Sequence, residues 1–345
     1  VQTKIVQTKL PPFFSNLLPE GRLRQYLAQQ GGINQQSEFK LIELLGGDLP
    51  GNVFVKSGNI IDSEIEKEAV NLNQDDQIYR FSLAGIQLKF SAITESRGGL
   101  TIPTSGLGGD WIVKLPAQNF VSVPENEFSM LQLAKEIGIS TPEIDLIDLD
   151  KISGLPELGI LGGDKALAVK RFDRENGKRI HIEDFAQVYS VFPKDKYDKV
   201  NYGNIANMVW FLTGQDGLVD FIKRLVFNIM IGNGDMHLKN WSFIYPDGRT
   251  PQLAPAYDFV STIVYIPNDK LALNLAGEKE MYKISLSSFS KLAKKAQLPE
   301  YLVVNTAKET AAAVLEVWNK NKHNYPLSDL IVTKIDQHIS KLKLQ

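Results

Sequence analysis

A polar segment clamped between an apolar helix and an apolar strand is the strongest constraint in this chain. Residues 221–230 repeat their apolar side chains at helical spacing and 241–245 read as a strand, yet 231–240 carries Asn233, Asp235, His237, Lys239 and Asn240. Asn, Gly and Asp are also ordinary turn residues, because Asn and Asp bond their own backbone. The apolar supports on both sides favour a second reading, in which rigid elements hold a polar site. Asp235 precedes Asn240 by five positions, the offset between proton acceptor and metal ligand in a phosphoryl-transfer loop. Asp258, on the separate segment 256–259, can supply a second metal carboxylate. ATP brings its own reactive phosphorus, so a protein need only orient a hydroxyl, hold Mg2+ and neutralise charge. Asp235 is the candidate catalytic proton acceptor, and Asn240 and Asp258 are the candidate oxygen ligands.

The 345 residues suffice for two lobes with a cleft between them. At 43% hydrophobic and 23% charged, the composition is that of an ordinary globular protein. A formal net charge of -2 gives no overall drive towards nucleic acid or an acidic membrane. Lys194, Lys196 and Lys199 cluster, but the intervening Asp195 and Asp198 suggest a solvated loop. The absence of cysteine excludes disulfides and thiolate metal sites. No apolar run approaches the roughly 18 residues of a membrane span, and no secretory signal is evident, so a cytoplasmic protein is expected.

Periodicity divides the chain near 170–174 into a β-rich part, 1–172, and a mainly helical part, 173–345. The first is expected to hold helices over 13–29 and 39–45, and strands over 52–55, 79–84, 88–94, 111–115, 143–149 and 166–172. A helix over 124–137 carries Ser122 as candidate cap, Glu125 three residues on, and Pro124 in its first turn. The second part is expected to hold helices over 182–189, 205–212, 218–230, 289–296, 299–319 and 327–344. An ATP site needs a lysine on a central strand, and Lys114 is well placed. Glu127 on the following helix is the candidate ion-pair partner. Lys170, Arg171 and Phe172 lie at the junction where adenine would bind. The glycine run at 104–109 matches no full phosphate-binding fingerprint and reads as a hairpin connection.

Six motifs now stand in order: Ser82 to Lys89, Trp111 to Pro116, Glu125 to Glu127, Ala168 to Arg174, Gly234 to Asn240 and Pro255 to Asp258. Together with the upstream Phe13 to Pro19, this set resembles the HipA family of toxin kinases. The resemblance implies an α+β, two-lobed, protein-kinase-like (HipA-like) fold and a bacterial serine/threonine kinase using ATP and Mg2+. It implies that Ala84, Gly85, Ile86, Gln87, Leu88 and Lys89 form the phosphate-binding loop. Lys114, the hinge 170–172, His237, Lys239, Asn240, Tyr257 and Asp258 then complete the nucleotide site. Ser82 matches the serine that family members autophosphorylate, and Arg80 stands where some relatives have a second serine. A phosphate there would add about -1.5 to -2 charges beside a loop that itself cradles phosphates.

The family's partners are a HipB-like helix-turn-helix antitoxin and, in split systems, a small HipS-like protein corresponding to an N-terminal subdomain. The chain begins almost at the Phe13 to Pro19 motif, so a short, HipT-like form is expected. Relatives phosphorylate aminoacyl-tRNA synthetases, the substrate class this implies, with no direct nucleic-acid binding by the kinase. Two other readings stay open: a small-molecule kinase of the aminoglycoside or choline type, and a catalytically silent pseudokinase acting as a binding module.

Overall fold

Pro19 decides the first departure from simple periodicity. Its ring fixes its own φ and disfavours helix at the residue before it. The expected helix over 13–29 is therefore two: α1 (Pro12–Asn16) and α2 (Gly21–Gln30), followed by α3 (Glu38–Leu45). The computed structural model describes residues 9–56, 88–94, 100–102, 109–155 and 161–344. The expected strand 79–84, Ser82, Ala84, Gly85, Ile86, Gln87 and most of the glycine run lie outside the described residues. Leu17, Leu18, Leu41, Ile42 and Leu49 give the N-terminal helices a small core of their own. The expected strand over 52–55 does not form; this stretch is irregular and tied back by Val55 N–H to the Gly46 carbonyl at 3.0 Å.

The sheet contains β1 (Lys89–Thr94), β2 (Leu100–Thr101), β3 (Trp111–Lys114), β4 (Ile144–Asp148), β5 (Ile152–Ser153) and β6 (Lys165–Lys170). Their order among the described residues is β4-β6-β3-β1-β2-β5, antiparallel except for β2 with β5. Register has a direct consequence here. Lys89 of β1 stands opposite Lys114 of β3, so two lysines share one face of the sheet. Like charges placed opposite repel, and such a pair requires an anion between them. Between β3 and β4 runs α4 (Val123–Glu136), with Pro124 in its first turn. Ser122 does not cap it: its left-handed backbone, φ 57°, carries the hydroxyl away from the helix N–H groups, and Glu125 Oε2 is buried without a partner.

After the hairpin of β7 (Arg174–Glu175) and β8 (Lys178–Arg179) the chain enters the helical lobe. Where one helix over 182–189 was expected, there is β9 (His181–Asp184) followed by the short α5 (Phe185–Val188). Asp184 explains the switch, since it and Gln187 form a capping box that starts the helix at Phe185, not at 182. The helices expected over 205–212 and 218–230 are the two helical segments of α6 (Tyr202–Ile231), which meet at a kink where Gly214 leaves helical geometry, φ 68°. Beyond it lie β10 (Ser242–Tyr245), β11 (Gln252–Leu253), α7 (Leu286–Ala296), α8 (Glu300–Asn321) and α9 (Asp329–Ile339). Strand β10 pairs with both β9 and β11. From Phe221 onward α6 is buried on nearly all sides because it runs through the largest core, with Phe221, Phe227, Trp241, Phe259 and Trp318. Met130 and Leu133 of α4 belong to that core too, so one face of α4 is anchored in the helical lobe while Glu127 reaches Lys114 of the sheet. The result is a two-lobed, kinase-like fold with α4 as the element common to both sides.

Candidate active site

The polar segment begins where α6 must stop. Gly232 takes a left-handed backbone, φ 70°, and a Cβ there would collide with Ile263. A Cβ on Gly234 would strike the Asp269 carboxylate and the Lys270 carbonyl, so both glycines are required by close packing. The side chain of Asn233 then ties the loop together. Its amide donates to Asn228 Oδ1 at 2.8 Å and to the Asp258 carbonyl at 3.3 Å, while its own oxygen accepts from Asp235 N–H at 3.0 Å. Asn240 Nδ2 donates to the Asp235 carbonyl at 2.8 Å. That bond orients the amide and turns Oδ1 to the opposite side. Tyr257 donates to the Lys239 carbonyl at 3.0 Å and touches Ser242, so the 256–259 segment is pinned to the same loop.

Asp258 is a non-glycine residue at φ 56°, a sparsely populated conformation that persists only where surroundings impose it. It is the anion that the two facing lysines require. Lys114 pairs with both Glu127 and Asp258, and Lys89 approaches Asp258 at 3.4 Å. Burial pushes the Asp258 carboxyl up, but Lys114 and Lys89 outweigh it and hold the group well below the usual carboxylate range. Burial likewise opposes the charge on Lys114, yet Asp258 and Glu127 keep its ammonium above the ordinary lysine value. Glu127 is raised by its burial. For Lys89, desolvation prevails over the attraction of Asp258 and lowers it.

His237 is buried with both ring nitrogens lacking a partner. Burial, followed by the nearby Lys196, lowers it well below its ordinary value, so the imidazole is neutral. An orphaned imidazole, an ionised carboxylate and an oriented amide oxygen converge on one cleft of about 420 Å³, a size suited to a small ligand. Asp258 and Asn240 are hard oxygen donors of the kind Mg2+ takes, and the residues present fit a magnesium nucleotide. At the lobe junction, the Phe172 ring stacks on Tyr257 with centroids 5.8 Å apart. The neighbouring side chains are engaged elsewhere: Lys170 pairs with Glu143 at 2.8 Å, and Arg171 binds Asp48 and Asp173.

Sequence reasoning missed a second layer of charge. Lys196 is not on a solvated loop. It is buried and pairs with Glu20 at 2.8 Å, and Glu20 also meets Lys239 at 3.2 Å. Burial would raise Glu20, but Lys239 and Lys196 hold it down at about 2. Tyr197 donates to Asp235 Oδ1 at 2.6 Å. Periodicity carries no signal for such contacts, since Glu20, Lys196 and Lys239 are far apart in the chain.

Residues 81–318 match the family described as the HipA-like C-terminal domain, and residues 2–56 match the HipA N-terminal domain. Y4dM of Sinorhizobium fredii, named as a kinase by inference, is 50% identical over 97% of this chain and 83% of its own length. The serine/threonine-protein kinase toxin HipA of Shewanella oneidensis is 27% identical over 80% of this chain and 70% of its own. A chain from the solved complex of Shewanella oneidensis HipA, HipB and operator DNA superposes with a TM-score of 0.77. It covers 96% of this chain and 84% of that one at 22% identity, a likeness of fold.

Proposed function

The chain belongs to the HipA family, and we propose that it is a serine/threonine protein kinase that uses Mg-ATP. The observation that carries this reading is the joint geometry of Asp235, Asn240 and Asp258. Asn240 is bonded to the Asp235 backbone, and Asp258 stands in the same cleft against the Lys114–Glu127 pair. Asp235 receives the proton of the acceptor hydroxyl as its oxygen bonds to the γ-phosphorus, and ADP leaves with the electrons of the broken P–O bond. Lys114, held by Glu127, contacts the nucleotide phosphates, and neutral His237 offers them a ring N–H. Asn240 and Asp258 would hold magnesium, whose charge offsets that developing on the phosphate oxygens. The Phe172–Tyr257 stack provides an aromatic wall for the base.

The finer reading follows the family. The chain is the toxin of a toxin–antitoxin pair, neutralised by a HipB-like helix-turn-helix antitoxin, with a small HipS-like protein as a second candidate partner. An aminoacyl-tRNA synthetase is the proposed substrate, and Ser82 the proposed autophosphorylation site. Among the described residues no helix is long and apolar enough to cross a membrane. The test is incubation of purified protein with Mg-ATP, alone and with a panel of synthetases, beside Asp235→Gln. Intact mass and phosphopeptide mapping should find phosphate on Ser82 and on one synthetase with the wild type alone. A wild type that transfers no phosphate to itself or any synthetase, or an Asp235→Gln protein that transfers normally, overturns the assignment.

A further inference from the structure

A loop carboxylate can act on a hydroxyl only if its side chain is held in one orientation, and backbone hydrogen bonds do not do that. Asn233 and Asn240 fix the main chain at Asp235 through its N–H and carbonyl. The carboxylate itself accepts a hydrogen bond from the phenol of Tyr197, Oη to Oδ1, at 2.6 Å. A hydroxyl bonded to a carboxylate at this length is a charge-assisted bond, stronger than a neutral one and more directional.

The segment carrying Tyr197 is built to keep the phenol in place. It follows the single 3-10 turn Pro193–Asp195. The carbonyl of Lys196 accepts from Leu238 N–H at 3.4 Å, and the Lys196 ammonium is anchored on Glu20. On its other side the Tyr197 ring meets the His237 ring edge to face, with centroids 5.0 Å apart. Backbone, ion pair and ring packing thus fix Tyr197 against the catalytic loop from three directions. A half-buried tyrosine with its hydroxyl exposed to solvent would not need them.

We infer that Tyr197 is a positioning residue for Asp235, orienting the carboxylate towards the acceptor hydroxyl. This rests on the kinase reading above and adds to it a residue outside the polar segment. Tyr197 acts on Asp235 through its hydroxyl and on His237 through its ring, and Tyr197→Phe keeps the ring contact, so loss of the hydroxyl alone should slow transfer without weakening ATP binding.

The experiment measures the single-turnover rate of autophosphorylation against ATP concentration for wild type, Tyr197→Phe, Asp235→Gln and the double variant. Tyr197→Phe should lower the maximum rate about tenfold and leave the half-saturating ATP concentration unchanged. The double variant should be no slower than Asp235→Gln, because the phenol has no role once its carboxylate is gone. Replacement of Tyr197 by 4-aminophenylalanine, which keeps the ring and a donor, should restore most of the rate. Tyr197→Phe at the wild-type rate overturns the inference alone, as does a loss that is additive in the double variant. A 4-aminophenylalanine protein as slow as Tyr197→Phe also overturns it, because the ring rather than the hydrogen bond would then be what matters. If Asp235→Gln transfers normally, or the wild type transfers phosphate neither to itself nor to any synthetase, the kinase reading fails and takes the inference with it; a wild type that labels only a synthetase is assayed in the same way with that synthetase as acceptor.

Discussion

Two clusters of buried charge flank the cleft, and they differ in how completely they are closed. At the exit of β6, Asp48 accepts from Arg171 at 2.7 Å, Arg174 at 3.2 Å and the Ser91 hydroxyl at 2.7 Å. Asp173 accepts from Arg171, Arg174 and the Gly51 N–H. The side chains of Asp48, Arg171, Asp173 and Arg174 are all less than a tenth exposed. This cluster joins the N-terminal segment to the lobe junction, and although Asp48, Arg171 and Asp173 line the cleft, their charges are matched within the cluster. In the cleft, by contrast, Asp258 keeps 18% of its side chain exposed and Lys89 29%, and both lysines meet Asp258 at the same oxygen, Oδ1. A charge satisfied all round is a structural joint, whereas one satisfied on one side can exchange partners with a ligand.

The comparison can be broken in order of expected effect. Asp235→Gln should reduce phosphate transfer about 100- to 10,000-fold in a radiolabel assay with little change in melting temperature, because a half-buried base is lost and no core is emptied. Lys114→Met should abolish detectable nucleotide binding by calorimetry and also cost about 3 kcal/mol in urea unfolding, since Glu127 is left buried without its cation. Asp48→Asn tests the closed cluster. It should destabilise by about 3 kcal/mol in the same unfolding experiment while ATP affinity changes less than about threefold. Equal effects of Asp48→Asn and Lys114→Met on ATP affinity would erase the distinction.

The smallest effect is expected at Glu20. Its folded value of about 2 lies below the ordinary 4.5, so its ionised form favours the fold. That contribution is complete above about pH 5 and is lost as pH falls towards 2. Glu20→Gln should therefore flatten the fall in stability across that window, as read from urea midpoints at several pH values. An unchanged slope would mean that the Glu20 pairs with Lys196 and Lys239 do not matter to stability.

The helical lobe was the more legible half. Helices α7 and α8 lie close to the expected spans because their periodicity is read from neighbours three and four positions apart, whereas α9 ends at Ile339, short of the expected 344. Two of the errors fall where one residue overrides a pattern, Pro19 splitting the first helix and Asp184 delaying α5, whereas the break expected between 212 and 218 is present at Gly214. In the site, Asp235 and Asn240 were visible because their spacing is local. Lys114 and Glu127 were visible because strand and helix follow each other directly. Tyr197 was not, since nothing in a lysine- and aspartate-rich stretch distinguishes a phenol bonded to Asp235 from one in solvent.

By itself the sequence determined which segments could be helix, strand or polar loop, and it singled out Asp235, Asn240 and Asp258 as candidates for phosphate chemistry. Those are consequences of short-range sterics, periodicity and turn chemistry. Only the tertiary structure decided which charges meet: Lys114 with Asp258 across 144 positions, Lys196 with Glu20 across 176, and Tyr197 with Asp235 across 38. The energy of such a pair depends on separation and desolvation, and both are set by how the lobes pack.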